Sequence, residues 1–290
     1  IAAIILLIPC VTEGMLTGIQ YAVWVLALEA VLAELSPIPP AVLGAQESAR
    51  AARHILPSDG EHTQPASIAP PSEKSANAPL IEAKHLVFGY HTGIPIVQNL
   101  SLTIRRGEHT AIIGESGAGK TTLASLLLRL WETDAGTIYY DGVPHTKLSP
   151  DASRAYFGAA LQGSWLFSAS IRDNFLRLRG DIPETAIWHA LETAQLADVV
   201  RALPAGLDEP LGMNASRLSG GQRSRLLTAL ALAGDAPILL LDEPTAGLDA
   251  ACGTRLINAV LADADARGAT LIVITHDLPL LNQMKQVIKL

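Results

Sequence analysis

The 290 residues set an expectation of about two domains, and a composition of 49% hydrophobic and 17% charged residues, against roughly 25% charge in an average soluble chain, excludes a disordered chain. The formal charge is −7, made of −4 up to residue 79 (3 basic, 7 acidic) and −3 beyond it (18 basic, 21 acidic), so neither part is a basic platform for nucleic acid, and 4 Trp, 5 Tyr and 4 Phe offer little base-stacking surface. Cys10 and Cys252 stand far apart with no CxxC or Cys/His spacing, which leaves a disulfide scaffold and a zinc site unsupported and core packing as the default for each.

The chain opens on Ile1 inside an apolar run without the polar lead-in or cleavage site of a signal peptide, and reads as a piece of a longer protein. Residues 1–12 carry no charge; after Glu13, residues 14–33 form a stretch whose only charge is Glu29. A bilayer-spanning helix needs about 20 apolar residues, so residues 1–36 are expected to be the end of one membrane helix, a turn near Glu13 and Gly14, and a complete second helix. Two buried helices of a soluble domain are the alternative, and the first dozen residues lack the polar face that an amphipathic helix would show. Arg50 and Arg53 are the first basic residues, which by the positive-inside rule puts the rest of the chain in the cytoplasm. Glu29 and Glu34 then mark the wet cytoplasmic end of the second helix, the other reading being a substrate-contacting carboxylate within the membrane.

Residues 37–79 hold 8 of the 18 prolines among Ser, Ala and Gly and form a connector, helical over AQESARAARHIL and mobile over its second part. From Leu80 short apolar strands alternate with helical segments, the texture of an α/β domain. HTAIIG (109–114) is a strand, GESGAGKTT (114–122) follows it, and TTLASLLLRLW has helical spacing, the context a P-loop requires. Across Gly114, Glu115, Ser116, Gly117, Ala118 and Gly119 the backbone would wrap phosphate at the positive end of the helix. Lys120 adds a mobile charge for the β and γ phosphates of ATP, the Thr121 hydroxyl is placed to ligate Mg²⁺, and Thr122 completes the loop.

PILLLDEP (237–244) is apolar enough for a strand buried on both faces and ends in two carboxylates. Asp242 would face Mg²⁺ beside Thr121, and Glu243 would reach the attacking water as base or polarising acceptor; a capping pair is the structural alternative. ATLIVITHD (269–277) brings His276 to a third strand end, so three strand ends converge on one crevice, where ligands bind in open α/β sheets. LSGGQ (218–222), with Ser219, Gly220, Gly221 and Gln222, stands before the helical run RSRLLTALALAG and makes a second phosphate site. One γ-phosphate cannot easily use both sites of a single domain, which predicts a head-to-tail dimer with ATP held between the P-loop of one subunit and the LSGGQ helix of the other.

With these ordered motifs, residues 80–290 resemble an ATP-binding cassette: an α/β P-loop NTPase fold with a helical subdomain at about 168–217, preceded by an α-helical transmembrane segment as in the exporter branch of that family. The resemblance implies that Tyr90, in VFGY, stacks on adenine, that Gln162, in AALQGSWLF, approaches Mg²⁺ and moves with the membrane helices, that Asp249, in AGLD, lies in the loop crossing the dimer interface, and that His276 senses the γ-phosphate. It implies an ATPase in a bacterial inner membrane, multi-pass, with its cassette in the cytoplasm and a small exported substrate. The segment before the cassette and EPTAGLDA resemble the CydC half of the CydDC exporter, associated with thiol reductants such as glutathione and cysteine and with cytochrome bd assembly, which implies a CydD-like heterodimer partner. A homodimeric drug, lipid or peptide exporter stays open, as do a soluble cassette protein for DNA repair or translation and a regulatory half that hydrolyses little. The 98 positions from Lys120 to Leu218 hold neither a coiled-coil nor a zinc insertion, and the intact Asp242, Glu243 and His276 speak against the regulatory half. Met213 replaces the Glu common in exporters before LSGGQ, Leu230 replaces an Arg in the following helix, and QVIKL ends the sequence within a strand, without the family's final hairpin and helix.

Overall fold

The computed structural model describes residues 79–91 and 94–290. The apolar stretches expected to span a membrane, and the connector up to residue 78, lie outside the described residues. Among the described residues no helix is long and apolar enough to cross a membrane.

The chain first lays down an antiparallel sheet from β1 (Pro79–Phe88), β2 (Val97–Arg105), β4 (Ala135–Tyr140) and β5 (Val143–Pro144), in the order β2-β1-β4-β5. β3 (Thr110–Ile113) leaves it for a parallel sheet with β6 (Phe157–Ala160), β7 (Ile238–Asp242), β8 (Thr270–Ile274) and β9 (Gln286–Lys289), in the order β6-β7-β8-β3-β9. ILLLD and TLIVI have no polar alternation because every residue of β7 and β8 is buried, as parallel strands covered on both faces require.

The period of two is present in what each side chain touches. Ile238 and Leu240 join Ile272, Ile274 and Ile112 in one core, completed by Leu123, Leu126 and Leu127 of α1 (Lys120–Leu127) and by Leu86 and Ile138 of the antiparallel sheet. Leu239 and Leu241 face the other way with Leu271 and Val273, onto α6 (Gly220–Leu232) and α7 (Ala250–Arg267). Fully burying one such side chain is worth about 1.5–3 kcal/mol, so each strand is anchored from both sides.

The short α2 (Pro150–Arg154) precedes β6, and between β6 and α6 the chain forms α3 (Ile171–Arg179), α4 (Glu184–Thr193) and α5 (Ala197–Arg201), which share the second core through Phe175, Leu191 and Val200. α3 starts at a capping box in which Ser170 accepts from the Asp173 amide and the Asp173 carboxylate accepts from the Ser170 amide. β6 lies so close to α6 that a Cβ on Gly158 would stand 2.1 Å from the Ala231 carbonyl oxygen, and only a glycine fits there.

Candidate nucleotide site

Parallel register aligns three strand ends: Asp242 pairs with Ile274, and Ile274 with Ile112. The residues that follow emerge along one sheet edge, where open α/β folds bind ligands.

After β3 the loop turns sharply, with the Ala118 amide donating to the Glu115 carbonyl at 3.1 Å, and Gly117 and Gly119 at φ 84° and 92°, in the left-handed region. Gly119 caps α1, so the positive end of that helix opens into the loop. Glu115, Ser116, Gly117 and Thr121 are exposed, Gly114 and Ala118 half-buried, and Gly119, Lys120 and Thr122 buried. Lys120 Nζ donates to the carbonyls of Gly114 at 2.9 Å and Glu115 at 2.8 Å, which holds the ammonium across the loop.

Thr121 Oγ1 donates to Asp242 Oδ2 at 3.1 Å, which joins the loop helix to the end of β7. Burial raises the Asp242 pKa above its ordinary value, opposed by hydrogen bonds from the Thr121 hydroxyl and the Gln162 backbone and by the charge of Lys120. Gln162 is thereby brought to Asp242 through its amide, while the residue as a whole is exposed.

Glu243 is a non-glycine residue at φ 51°, a conformation that costs roughly 1–2 kcal/mol and recurs at functional sites. Its amide donates to the Ile274 carbonyl at 2.9 Å, fixing the turn against β8. Its buried Oε1 lies 3.4 Å from His276 Nε2, at ion-pair distance but without hydrogen-bond alignment. Burial raises the Glu243 pKa as well, against the lowering effect of His276 and with the Asp242 charge adding to the rise.

Tyr90 is exposed at one flank of the loop, and its hydroxyl lies 3.3 Å from Thr122 Oγ1. Ser219 caps α6: its Oγ accepts from the Gln222 amide at 3.2 Å and the Gln222 side chain accepts from the Ser219 amide at 2.9 Å. Ser219 and Gly220 are exposed. A Cβ on Gly221 would meet Leu248 Cδ2 at 2.8 Å and the Gly247 carbonyl oxygen at 2.9 Å, so the LSGGQ turn sits directly against AGLD. Asp249 is exposed and its carboxylate accepts from the Cys252 amide at 2.8 Å, which makes it the N-cap of α7. The geometry therefore gathers the loop, Asp242, Glu243, Gln162 and His276 at one edge; it links LSGGQ to Asp249 through the Gly221–Leu248 contact.

Residues 97–246, just over half of the 290, match the family model described as ABC transporter. The chain belongs to the ABC transporter family. As an ABC ATPase domain it is 39% identical over 196 residues to an ATP-dependent lipid A-core flippase of Neisseria meningitidis serogroup B, covering 68% of this chain and 31% of that one. It is 38% identical over 206 residues to the mycobactin import ATP-binding/permease protein IrtA of Mycobacterium tuberculosis, with 71% and 24% covered. Among solved structures it is similar to a bacterial Atm1-family ABC exporter with ATP bound, at 32% identity and a TM-score of 0.68, covering 75% of this chain and 38% of that one. The chain spans about a third or less of the length of these two curated relatives.

The ABC fold also uses residues that no motif marks. Trp131, just beyond α1, meets the Tyr90 ring at 5.3 Å between centroids. Arg179 of α3 donates to the carbonyls of Leu230 and Ala231, and Arg267 of α7 to those of Leu232 and Gly234, so two arginines from elsewhere cap the C-terminal end of the LSGGQ helix. α6 has no basic residue in its own last turn, and only the pairing of distant segments supplies the charge.

Proposed function

We propose that this chain is the ATP-hydrolysing part of an exporter in a bacterial inner membrane, with residues 1–36 as the end of its membrane domain, 37–79 as linker and 80–290 as cassette. The observation that carries the reading is the convergence of Lys120, Thr121, Asp242, Glu243 and His276 on one sheet edge, spanned by the 3.1 Å and 3.4 Å contacts of Thr121 with Asp242 and of Glu243 with His276.

In this reading Lys120 and the amides of residues 114–122 hold the phosphates of ATP, and the Tyr90 ring holds the adenine. A hydroxyl, one carboxylate and an adjacent side-chain amide are hard oxygen donors of the kind Mg²⁺ accepts when substrate phosphates complete its shell, so Thr121, Asp242 and Gln162 fit the ion. Bound there, Mg²⁺ would neutralise charge on the β and γ phosphates. Glu243 accepts hydrogen-bonding from the attacking water, aided by a carboxyl pKa raised by burial, and His276 faces the γ-phosphate. The exposed capping box at Ser219 offers a second helix N-terminus to the nucleotide of a neighbouring subunit, and Asp249 lies in the loop beside it. Nucleotide bridging two subunits closes the dimer, and loss of the γ-phosphate lets it reopen.

The substrate reading rests on sequence resemblance: the CydC-like segment before the cassette and EPTAGLDA favour a thiol exporter paired with a CydD-like half. A second reading is favoured by the 39% identity to a lipid A-core flippase, and is a homodimeric lipid exporter. Purification of the full-length chain with or without a stoichiometric second cassette protein separates the two.

The ATPase reading is tested in the full-length transporter. Glu243→Gln retains ATP binding, accumulates a closed dimer and loses about 10²–10⁴-fold in turnover, whereas Lys120→Ala weakens nucleotide binding itself. Parent-level turnover in Glu243→Gln removes Glu243 from this role.

A further inference from the structure

The aromatic wall beside the glycine loop holds more than the residue that the nucleotide reading uses. Tyr90 meets Phe88 with ring centroids 5.1 Å apart at 85°, and meets Trp131 at 5.3 Å and 81°; Phe88 and Trp131 are themselves 6.0 Å apart. Tyr90 is thus gripped by two rings, both near-perpendicular to it, the geometry in which the positive edge of one ring meets the negative face of another. The three do not share one environment. Phe88 is 3% exposed and belongs to the core, whereas Tyr90 is 39% and Trp131 37% exposed, so the pair lies at the surface over a buried foundation. At its far end Tyr90 reaches the phosphate loop, with its hydroxyl 3.3 Å from Thr122 Oγ1.

We infer that Trp131 is a positioning residue for adenine, which sets the plane of the Tyr90 ring against the base. This rests on the nucleotide reading above. A lone tyrosine at a surface turn samples several rotamers, and fixing one of them on binding costs affinity. The Trp131 ring follows the end of the loop helix by four residues, so a short segment ties the base end of the site to the element that holds the phosphates. Its effect on ATP therefore passes through Tyr90 and disappears when that ring is gone.

The test is a double-mutant cycle for ATP affinity in the full-length transporter, with Trp131→Leu and Tyr90→Ala made singly and together, Trp131→Phe as the conservative variant and Lys120→Ala as the control on the site. Trp131→Leu is expected to weaken ATP binding about 2–10-fold, the worth of one aromatic pair. Trp131→Phe retains most of the affinity, and Trp131→Leu adds less than about twofold once Tyr90 is alanine. Full affinity in Trp131→Leu, or the same loss with and without the Tyr90 ring, overturns the inference while leaving the nucleotide site in place. Parent-level ATP affinity in Lys120→Ala or in Tyr90→Ala instead overturns the reading on which it rests.

Discussion

Thr121 Oγ1 donates to Asp242 Oδ2 at 3.1 Å, across 121 residues of sequence, and so joins the first turn of the loop helix to the end of a buried strand. If this pair holds Mg²⁺, Thr121→Val, which keeps the shape and removes the oxygen, lowers ATP hydrolysis on the order of 10–100-fold and moves the half-maximal Mg²⁺ concentration upward. Hydrolysis measured across a magnesium series checks this, and an unchanged magnesium requirement takes the hydroxyl out of the site.

The two carboxylates at this strand end weaken the fold in which they sit. Asp242 and Glu243 both have pKa values raised by burial above their ordinary 3.8 and 4.5. A carboxyl raised on folding favours the folded state when protonated. That contribution is whole below the ordinary value and is lost as pH rises through the folded one. In nucleotide-free, magnesium-free protein, Asp242→Asn therefore melts above the parent at pH 7, with the gap closing as pH falls through the raised value toward about 4 and absent below it. Thermal melts across that range are the measurement, and a parent that melts higher at pH 7 contradicts the sign.

The loop and strand-end part of the candidate site is legible in the sequence because each piece is local. GESGAGKTT needs only glycines at the bends and a helix behind them, and ILLLD and TLIVI declare burial on both faces by lacking alternation. What brings Asp242 beside Thr121 is strand order, and apolar runs on β3, β7 and β8 say that a crevice forms without stating which strands adjoin. Trp131 beside Tyr90, and Arg179 and Arg267 on the end of α6, were not legible, because a tryptophan after a helix and an arginine at a helix end look the same with or without a distant partner.

Close packing of β6 on α6 gives a steric prediction. A methyl group on residue 158 would stand 2.1 Å from the backbone oxygen of Ala231, which cannot withdraw unless the helix moves. Gly158→Ala is expected to cost about 1–3 kcal/mol. Gly220→Ala, where the added carbon meets nothing within 4 Å, changes stability by no more than about 1 kcal/mol. Denaturant unfolding of the two variants side by side distinguishes a local clash from a general intolerance of glycine replacement.

Arg179 and Arg267 cover the carbonyls that α6 leaves open at its C-terminal end. Arg267→Met removes the donor to Leu232 and Gly234 together with the 2.7 Å ion pair to the Asp263 carboxylate, and should cost about 1–3 kcal/mol, the range for hydrogen bonds to charged groups. Amide exchange should quicken in the last turn of α6 before it quickens in β7. Uniform acceleration throughout the domain would mean that the arginine supports the whole fold rather than this helix end.

β7 separates two hydrophobic compartments, with Ile238 and Leu240 belonging to one and Leu239 and Leu241 to the other. A partition shared in this way has no loose side: a shift of the strand along its axis or across the sheet disturbs interlocking side chains in both rooms at once. Asp242, at its tip, inherits that double restraint: its backbone moves with the wall as a unit, and the loop helix acts on the carboxylate besides through the Thr121 hydroxyl.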